Sequence, residues 1–317
     1  MLAACGSGPA AGPAVDASVG GGGAATPDAT AIPSTGPYPI VFVHGLFGFD
    51  KIGPLEYFYG VPELYTQRGR TVFTPRLDAI QASDVRGQEL VTAIEQARVM
   101  TGASKVVLIG HSQGGMDARW AASHDPDAIA AVVTIGTPHR GSPVADVASG
   151  VLPGDADAAL SALADLFGVA QAGSMSSFAG ALDTLTTPGA AAFNAATPDA
   201  PGVPYMSIAG RSGLAGASAC PASSSLTATW DSQLDAYGVE LAPVATILAA
   251  AALPDTPTQD GLVTVDSAQW GEFLGCIPTD HLQEVCQIAG AGDGLGNDFD
   301  CLQFFGDLET LLASRGF

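Results

Sequence analysis

Basic residues are scarce in this chain. Against 32 Asp and Glu there are 11 Lys and Arg, a formal net charge of -21 at pH 7 over 317 residues. Such a body repels nucleic-acid phosphates and anionic membrane surfaces, which argues against nucleic acid as a partner. Charge of either sign is sparse: 14% of residues are charged and 47% are hydrophobic, the balance of a globular domain. No apolar run reaches the roughly 18 residues of a membrane span. The longest, Val244 to Leu253, is broken by Thr246 and reads as a core helix. No internal repeat is evident. CxxC spacing is missing, as is any His at zinc-ligand spacing, so no metal is expected on these grounds.

The cysteines present are five. Cys5 follows Leu2-Ala3-Ala4, the short box at which bacterial lipoprotein signal peptides are cut before a lipidated Cys. Residues 1–36 therefore read as a lipoprotein-like signal remnant and a flexible tether of Gly, Ala, Pro, Ser and Thr, with the true signal extending before Met1. The expected location is secreted, or anchored at an outer membrane through Cys5. Cys220, Cys276, Cys286 and Cys301 remain, an even number that suggests two disulfides in an exported chain. Three pairings are open.

The catalytic domain is expected over 37–317. Ile40–Val43, Thr71–Thr74, Lys105–Ile109 and Ala131–Ile135 are short continuous apolar runs that read as buried parallel strands, with later strands at Tyr205–Ala209 and Leu262–Val265. Helices are expected from Ser83, as a cap, to Thr101, and from Gly114 to Ser123. This alternation implies an α/β fold with a mostly parallel sheet and helices on both faces. Residues 143–198 hold no clear strand and carry helical patches, and are expected to form a lid or cap.

Gly110-His111-Ser112-Gln113-Gly114 lies directly after a buried strand and before a helix, the context of a nucleophile elbow with Ser112 as nucleophile and Gly110, His111 and Gly114 as its support. The backbone N–H of Gln113 is one oxyanion donor by position, and Leu46 N–H, in the loop His44-Gly45-Leu46, is the expected second. Of five His, His44 comes too early in the chain and is expected to brace its loop. His111 sits inside the elbow, pointing away from the nucleophile. His124 is placed to cap a helix C-terminus, and His139 to line the cleft. His281 remains as general base. The acid is left among Asp255, Asp260, Asp266 and Asp280.

The segments YPIVFVHGLFGFDKIGPLEYFYG (Tyr38–Gly60), SDVRGQEL (Ser83–Leu90), VVLIGHSQGG (Val106–Gly115), IGTPHRGS (Ile135–Ser142), QDGLV (Gln259–Val263) and DHLQEV (Asp280–Val285) resemble bacterial triacylglycerol lipases of the Pseudomonas–Burkholderia type. The resemblance implies the α/β-hydrolase fold and hydrolysis of fatty-acid esters at a lipid–water interface beneath a mobile lid. It implies Ser112, Asp260 and His281 as triad and Leu46 and Gln113 as oxyanion donors. A monomer is expected, with a folding chaperone, as some relatives have, a candidate partner. The family holds a calcium ion with an Asp two residues after the His; here that position is Gln283, and a second carboxylate has only the distant Asp235 as counterpart. Cys276 and Cys286 lie five residues either side of His281, so disulfides are expected to hold the loop that calcium holds elsewhere. A short-chain carboxylesterase, polyester hydrolase or acyltransferase would share this triad. A non-catalytic lipoprotein binding acyl chains would not need it.

Overall fold

The structure, a computed structural model, describes residues 37–48, 51–52, 55–166, 175–213, 219–230, 232–233, 258–286 and 297–317. The expected N-terminal tether with Cys5, the helix at 244–253, Asp235 and Asp255 lie outside the described residues.

Six parallel strands form the central sheet. They are β1 (Ile40–Val43), β4 (Val72–Phe73), β5 (Val106–His111), β6 (Ile129–Ile135), β7 (Tyr205–Gly210) and β8 (Glu272–Ile277), in spatial order β4-β1-β5-β6-β7-β8. A separate hairpin pairs β2 (Lys51–Ile52) with β3 (Leu55–Glu56). The continuous apolar runs follow from burial on both sheet faces. Ile40 and Phe42 pack with α1 (Val61–Gln67) and with the C-terminal helix; Val41 and Val43 pack with α2 (Ser83–Thr101) and α3 (Gln113–His124).

Chain order reverses between β1 and β5, so their C-terminal ends diverge into a crevice, the usual ligand position in an open α/β sheet. Ser112 follows β5 there, and Leu46 follows β1. Over this crevice lie α4 (Pro143–Ala148), α5 (Ala156–Leu166) and α6 (Met175–Thr184), while α7 (Thr187–Ala196) packs on α3; together they are the helical content expected of the 143–198 insertion.

Two expected elements are corrected. Leu262–Val265 is not a strand: residues 260–263 form a turn, and Val265–Ala268 is a short helix, α8. The sixth strand is instead β8, whose glycine at 275 sits at φ 114° beside a register irregularity. Ser83 does not cap α2 from outside; it is the helix's first residue, buried, with Ala82 at the cap position. The chain closes with α9 (Cys301–Ser314), whose N-cap Asp300 accepts a hydrogen bond from Gln303 N at 2.9 Å.

The start of α3 lies against the end of β1. A Cβ on Gly114 would run into the carbonyls of Val43 and His44, which are backbone and cannot rotate aside. Gly114→Ala should therefore cost about 1–3 kcal/mol of stability by overpacking, measured by denaturant unfolding. An unchanged midpoint would show that this approach is looser than described.

Candidate active site

Three non-glycine residues have positive φ among those described: Phe47 (54°), Ser112 (56°) and Cys286 (58°). One follows the expected oxyanion donor, one is the expected nucleophile, and one ends the loop of the expected base. Such conformations cost roughly 1–3 kcal/mol each and persist where surrounding structure over-determines them. Ser112, at ψ -131°, forms the sharp turn between β5 and α3. Its backbone N–H bonds to Ile135 O at 3.0 Å, fixing the turn on the neighbouring strand.

The loop from β1 meets the elbow closely. A Cβ on Gly45 would stand 2.7 Å from Ser112 Cβ. His44 braces this loop as expected: Nε2 accepts from Leu77 N at 3.0 Å, so Nδ1 carries the proton and donates to Gly45 O at 2.9 Å. Phe47 N donates to Ala79 O at 2.6 Å. Neither Leu46 N–H nor Gln113 N–H has a protein acceptor among the described residues, as donors reserved for a ligand require.

Sequence reasoning missed Arg86, which is fully buried. Its Nε donates to Asp117 Oδ2 at 2.7 Å, Nη1 to Asp78 O at 2.5 Å and Nη2 to His44 O at 2.5 Å. One guanidinium thus ties the loop carrying Leu46 to the helix that begins at Gln113. A buried ion pair adds little net stability because desolvation costs several kcal/mol per ion; its effect here is geometric. Burial pushes the Asp117 carboxyl up to about 6, with Arg86 pulling it back.

His281 Nδ1 donates to Asp260 Oδ2 at 2.7 Å, and both residues are 1% exposed. The other carboxylate oxygen, Oδ1, accepts from Leu262 N at 2.8 Å and Val263 N at 2.7 Å, which is why residues 260–263 turn instead of extending. His281 N also donates to Asp260 O at 2.9 Å. Of the rival acids, Asp266 is exposed on α8, and Asp280 Oδ1 accepts from Leu282 N and Gln283 N at 3.0 Å each. His281 and Ser112 line one apolar cavity of about 40 Å³, with Leu46, Leu163, Leu182 and Val263.

The remaining His are accounted for. His124 Nδ1 donates to Trp120 O at 2.8 Å in the last turn of α3. His139 does not line the cleft: it is buried, 3.0 Å from Thr134 Oγ1 and 3.2 Å from Arg119 Nη1. His111 points to Tyr57 and Glu284, at 2.8 Å from the hydroxyl and 3.0 Å from Oε2. Burial holds its pKa well below the usual range, so it is neutral, accepting from Tyr57 at Nδ1 and donating to Glu284 from Nε2.

Glu284 was also missed. It is fully buried, and its Oε2 lies 3.5 Å from His281 Nδ1. Burial, and then the neighbouring Asp260 charge, raise its pKa well above the carboxylate range. The only sequence signal was an acid three residues after His281 inside an apolar stretch.

Calcium takes roughly six to eight oxygen ligands. Gln283 is neutral, and Asp280 Oδ1 is occupied by main-chain N–H groups. The one cluster of three ligating side chains found among the described residues, His111, His281 and Glu284, contains two imidazoles. The described residues do not fit calcium. The four cysteines pair as Cys220–Cys276 and Cys286–Cys301. Cys276 is the penultimate residue of β8 and Cys286 ends the His281 loop, so that loop is tied covalently on both sides, which suits an oxidising compartment.

Residues 38–195 match the family described as alpha/beta hydrolase fold. The chain is 32% identical over 285 residues to a triacylglycerol lipase of Pseudarthrobacter phenanthrenivorans, covering 86% of this chain and 84% of that one. It is 32% identical over 285 residues to one of Burkholderia plantarii, covering 86% and 75%. A triacylglycerol lipase of Vibrio cholerae is 42% identical over 176 residues, 53% of this chain and 55% of that relative's length. Among solved structures, the mature form of Bacillus licheniformis lipase BlEst2 superposes with a TM-score of 0.61 at 22% identity, covering 89% of this chain and 94% of that one, a likeness of fold.

A carboxyl that is neutral when folded and ionised when unfolded binds more protons in the native state. Stability then falls as pH rises from the unfolded pKa, near 4.5, through the raised folded one. Glu284→Gln, permanently neutral, should flatten the alkaline side of a Tm–pH profile relative to wild type. Parallel profiles would mean that Glu284 is ionised in place.

Proposed function

The chain belongs to the bacterial triacylglycerol lipase family, carboxylic ester hydrolases of the α/β-hydrolase fold, and we propose that Ser112, His281 and Asp260 carry its chemistry. The observation that carries this reading is the 2.7 Å bond from His281 to Asp260 beside the cavity that Ser112 shares with His281. With Nδ1 held by the carboxylate, Nε2 is the basic nitrogen. It takes the Ser112 proton as Oγ attacks the ester carbonyl. Leu46 N–H and Gln113 N–H hold the oxyanion, His281 returns the proton to the leaving alcohol, and water releases the acid by the same route.

The substrate class is fatty-acid esters at a lipid–water interface. A cavity of about 40 Å³ is far below the roughly 300–1,000 Å³ of ordinary ligand sites. A long acyl chain therefore requires the cap formed by α5 and α6 to move. Ester hydrolysis across a chain-length series, followed through the solubility limit of each ester, should show a rate jump once aggregates form. Simple saturation below that limit with no jump would identify a soluble-ester esterase. The enzyme works as a monomer outside the cytosol, released or held by a lipid on Cys5.

No metal takes part in this reading. The Cys220–Cys276 and Cys286–Cys301 bridges hold the His281 loop in place of calcium. Dialysis against EDTA should leave activity intact, whereas reduction should lower it several-fold with secondary structure retained by circular dichroism. Loss with EDTA and indifference to reductant would reverse this assignment.

A further inference from the structure

The cap is attached in two different ways. At its base the attachment is polar. Ser142 Oγ donates to Leu262 O at 2.7 Å, and Asp146 accepts from Thr187 N at 2.7 Å and Thr187 Oγ1 at 2.6 Å. On α7, Asn194 donates to His139 O and accepts from Arg119, each at 2.8 Å. Towards the crevice, α5 and α6 present Leu163, Phe178 and Leu182, which join the sheet side by apolar packing. The base is directional and fixed; the part over Ser112 is held by apolar packing, which tolerates displacement.

Within that packing, Phe178 of α6 meets Phe47, ring centroids 5.3 Å apart at 39°. Phe47 directly follows Leu46, whose N–H is the proposed oxyanion donor, and it sits at φ 54°. A side chain in this region is disfavoured unless neighbouring contacts compensate. Its N–H is tethered to Ala79 O at 2.6 Å, which holds the peptide it shares with Leu46, so relaxation at residue 47 falls on Gly48, whose N–H donates to Gly45 O at 3.0 Å immediately before Leu46.

We propose that the Phe47–Phe178 contact is a latch, with Phe47 the positioning residue through which the cap's α6 is coupled to the oxyanion loop. Resting on the cap reading above, it adds the contact that sets how readily the cap opens. While the rings pack, α6 stays over Ser112 and Phe47 keeps its constrained backbone. When α6 leaves, the exposed face of Phe47 becomes an apolar surface beside the nucleophile, suited to an acyl chain.

Phe178→Ala should raise hydrogen exchange of the α6 amides about two- to tenfold, the range expected for losing one aromatic pair. It should raise turnover of a soluble monomeric ester by a similar factor and shrink the rate jump at the interface. Phe47→Gly should release α6 to the same extent while relieving the φ constraint, so it serves if Phe178→Ala folds poorly. Its kcat should gain less than that of Phe178→Ala, because a freed residue 47 also loosens the Gly48–Gly45 bond that closes the loop carrying Leu46. Wild-type exchange in α6 with an unchanged ratio of interfacial to soluble rates in either variant would overturn the latch. A wild-type enzyme with no interfacial jump would overturn the cap reading and the latch with it; a jump that persists unaltered in the variants removes the latch alone.

Discussion

The hydrogen bond between Asp260 and His281 is the constraint on which the rest of the site depends. It selects one tautomer of the imidazole and assigns Nε2 to the proposed proton transfer from Ser112. Asp260 can serve this way because its other oxygen is saturated by Leu262 N and Val263 N, and because its carbonyl accepts from His281 N. Removing the carboxylate would strand two main-chain donors and one imidazole together in a buried place, a penalty well above that of an exposed ion pair. Glu284 completes the arrangement. Two carboxyls this near, both out of water, are tolerated when one stays protonated, and burial beside Asp260 favours that state in Glu284.

The opposite wall depends on a second buried group. Arg86 converges on His44 O, Asp78 O and Asp117, and so holds the loop after β1 against the helix after β5. Those two segments contribute the proposed oxyanion donors. The proposed mechanism requires a base positioned by one loop and donors positioned by another to converge on a single carbonyl. Here the switch point of the sheet brings them together, and the close approach at Gly45 and Gly114 keeps them there.

How much of this could be read from the residues depended on what each feature demands of composition. β1, β5, β6 and β7 are buried on both faces, so they appear as unbroken apolar runs, and the elbow between β5 and α3 was recognisable from its glycines. β8 was not, because it starts with the exposed Glu272, carries a kinked glycine at 275 and owes its place to register with β7. Leu262 and Val263 were misread because their apolar side chains serve the cavity over Ser112 and not the sheet. Composition left Asp260 one of four candidates and the family resemblance alone singled it out; the turn at 260–263 then brings its carboxylate to His281. Arg86, Asp117 and Glu284 were invisible for a general reason: charged residues at helical spacing look like a solvated face, and only tertiary structure shows them buried.

The most direct measurement is mass-spectrometric mapping of a fluorescent alkyl phosphonate after brief exposure to the native enzyme, the His281→Ala variant and the Asp260→Asn variant. The account predicts a single adduct on Ser112 in the native enzyme, labelling slowed by orders of magnitude in His281→Ala, and an intermediate rate in Asp260→Asn. An adduct on another residue, or His281→Ala labelled as fast as the native enzyme, would contradict it.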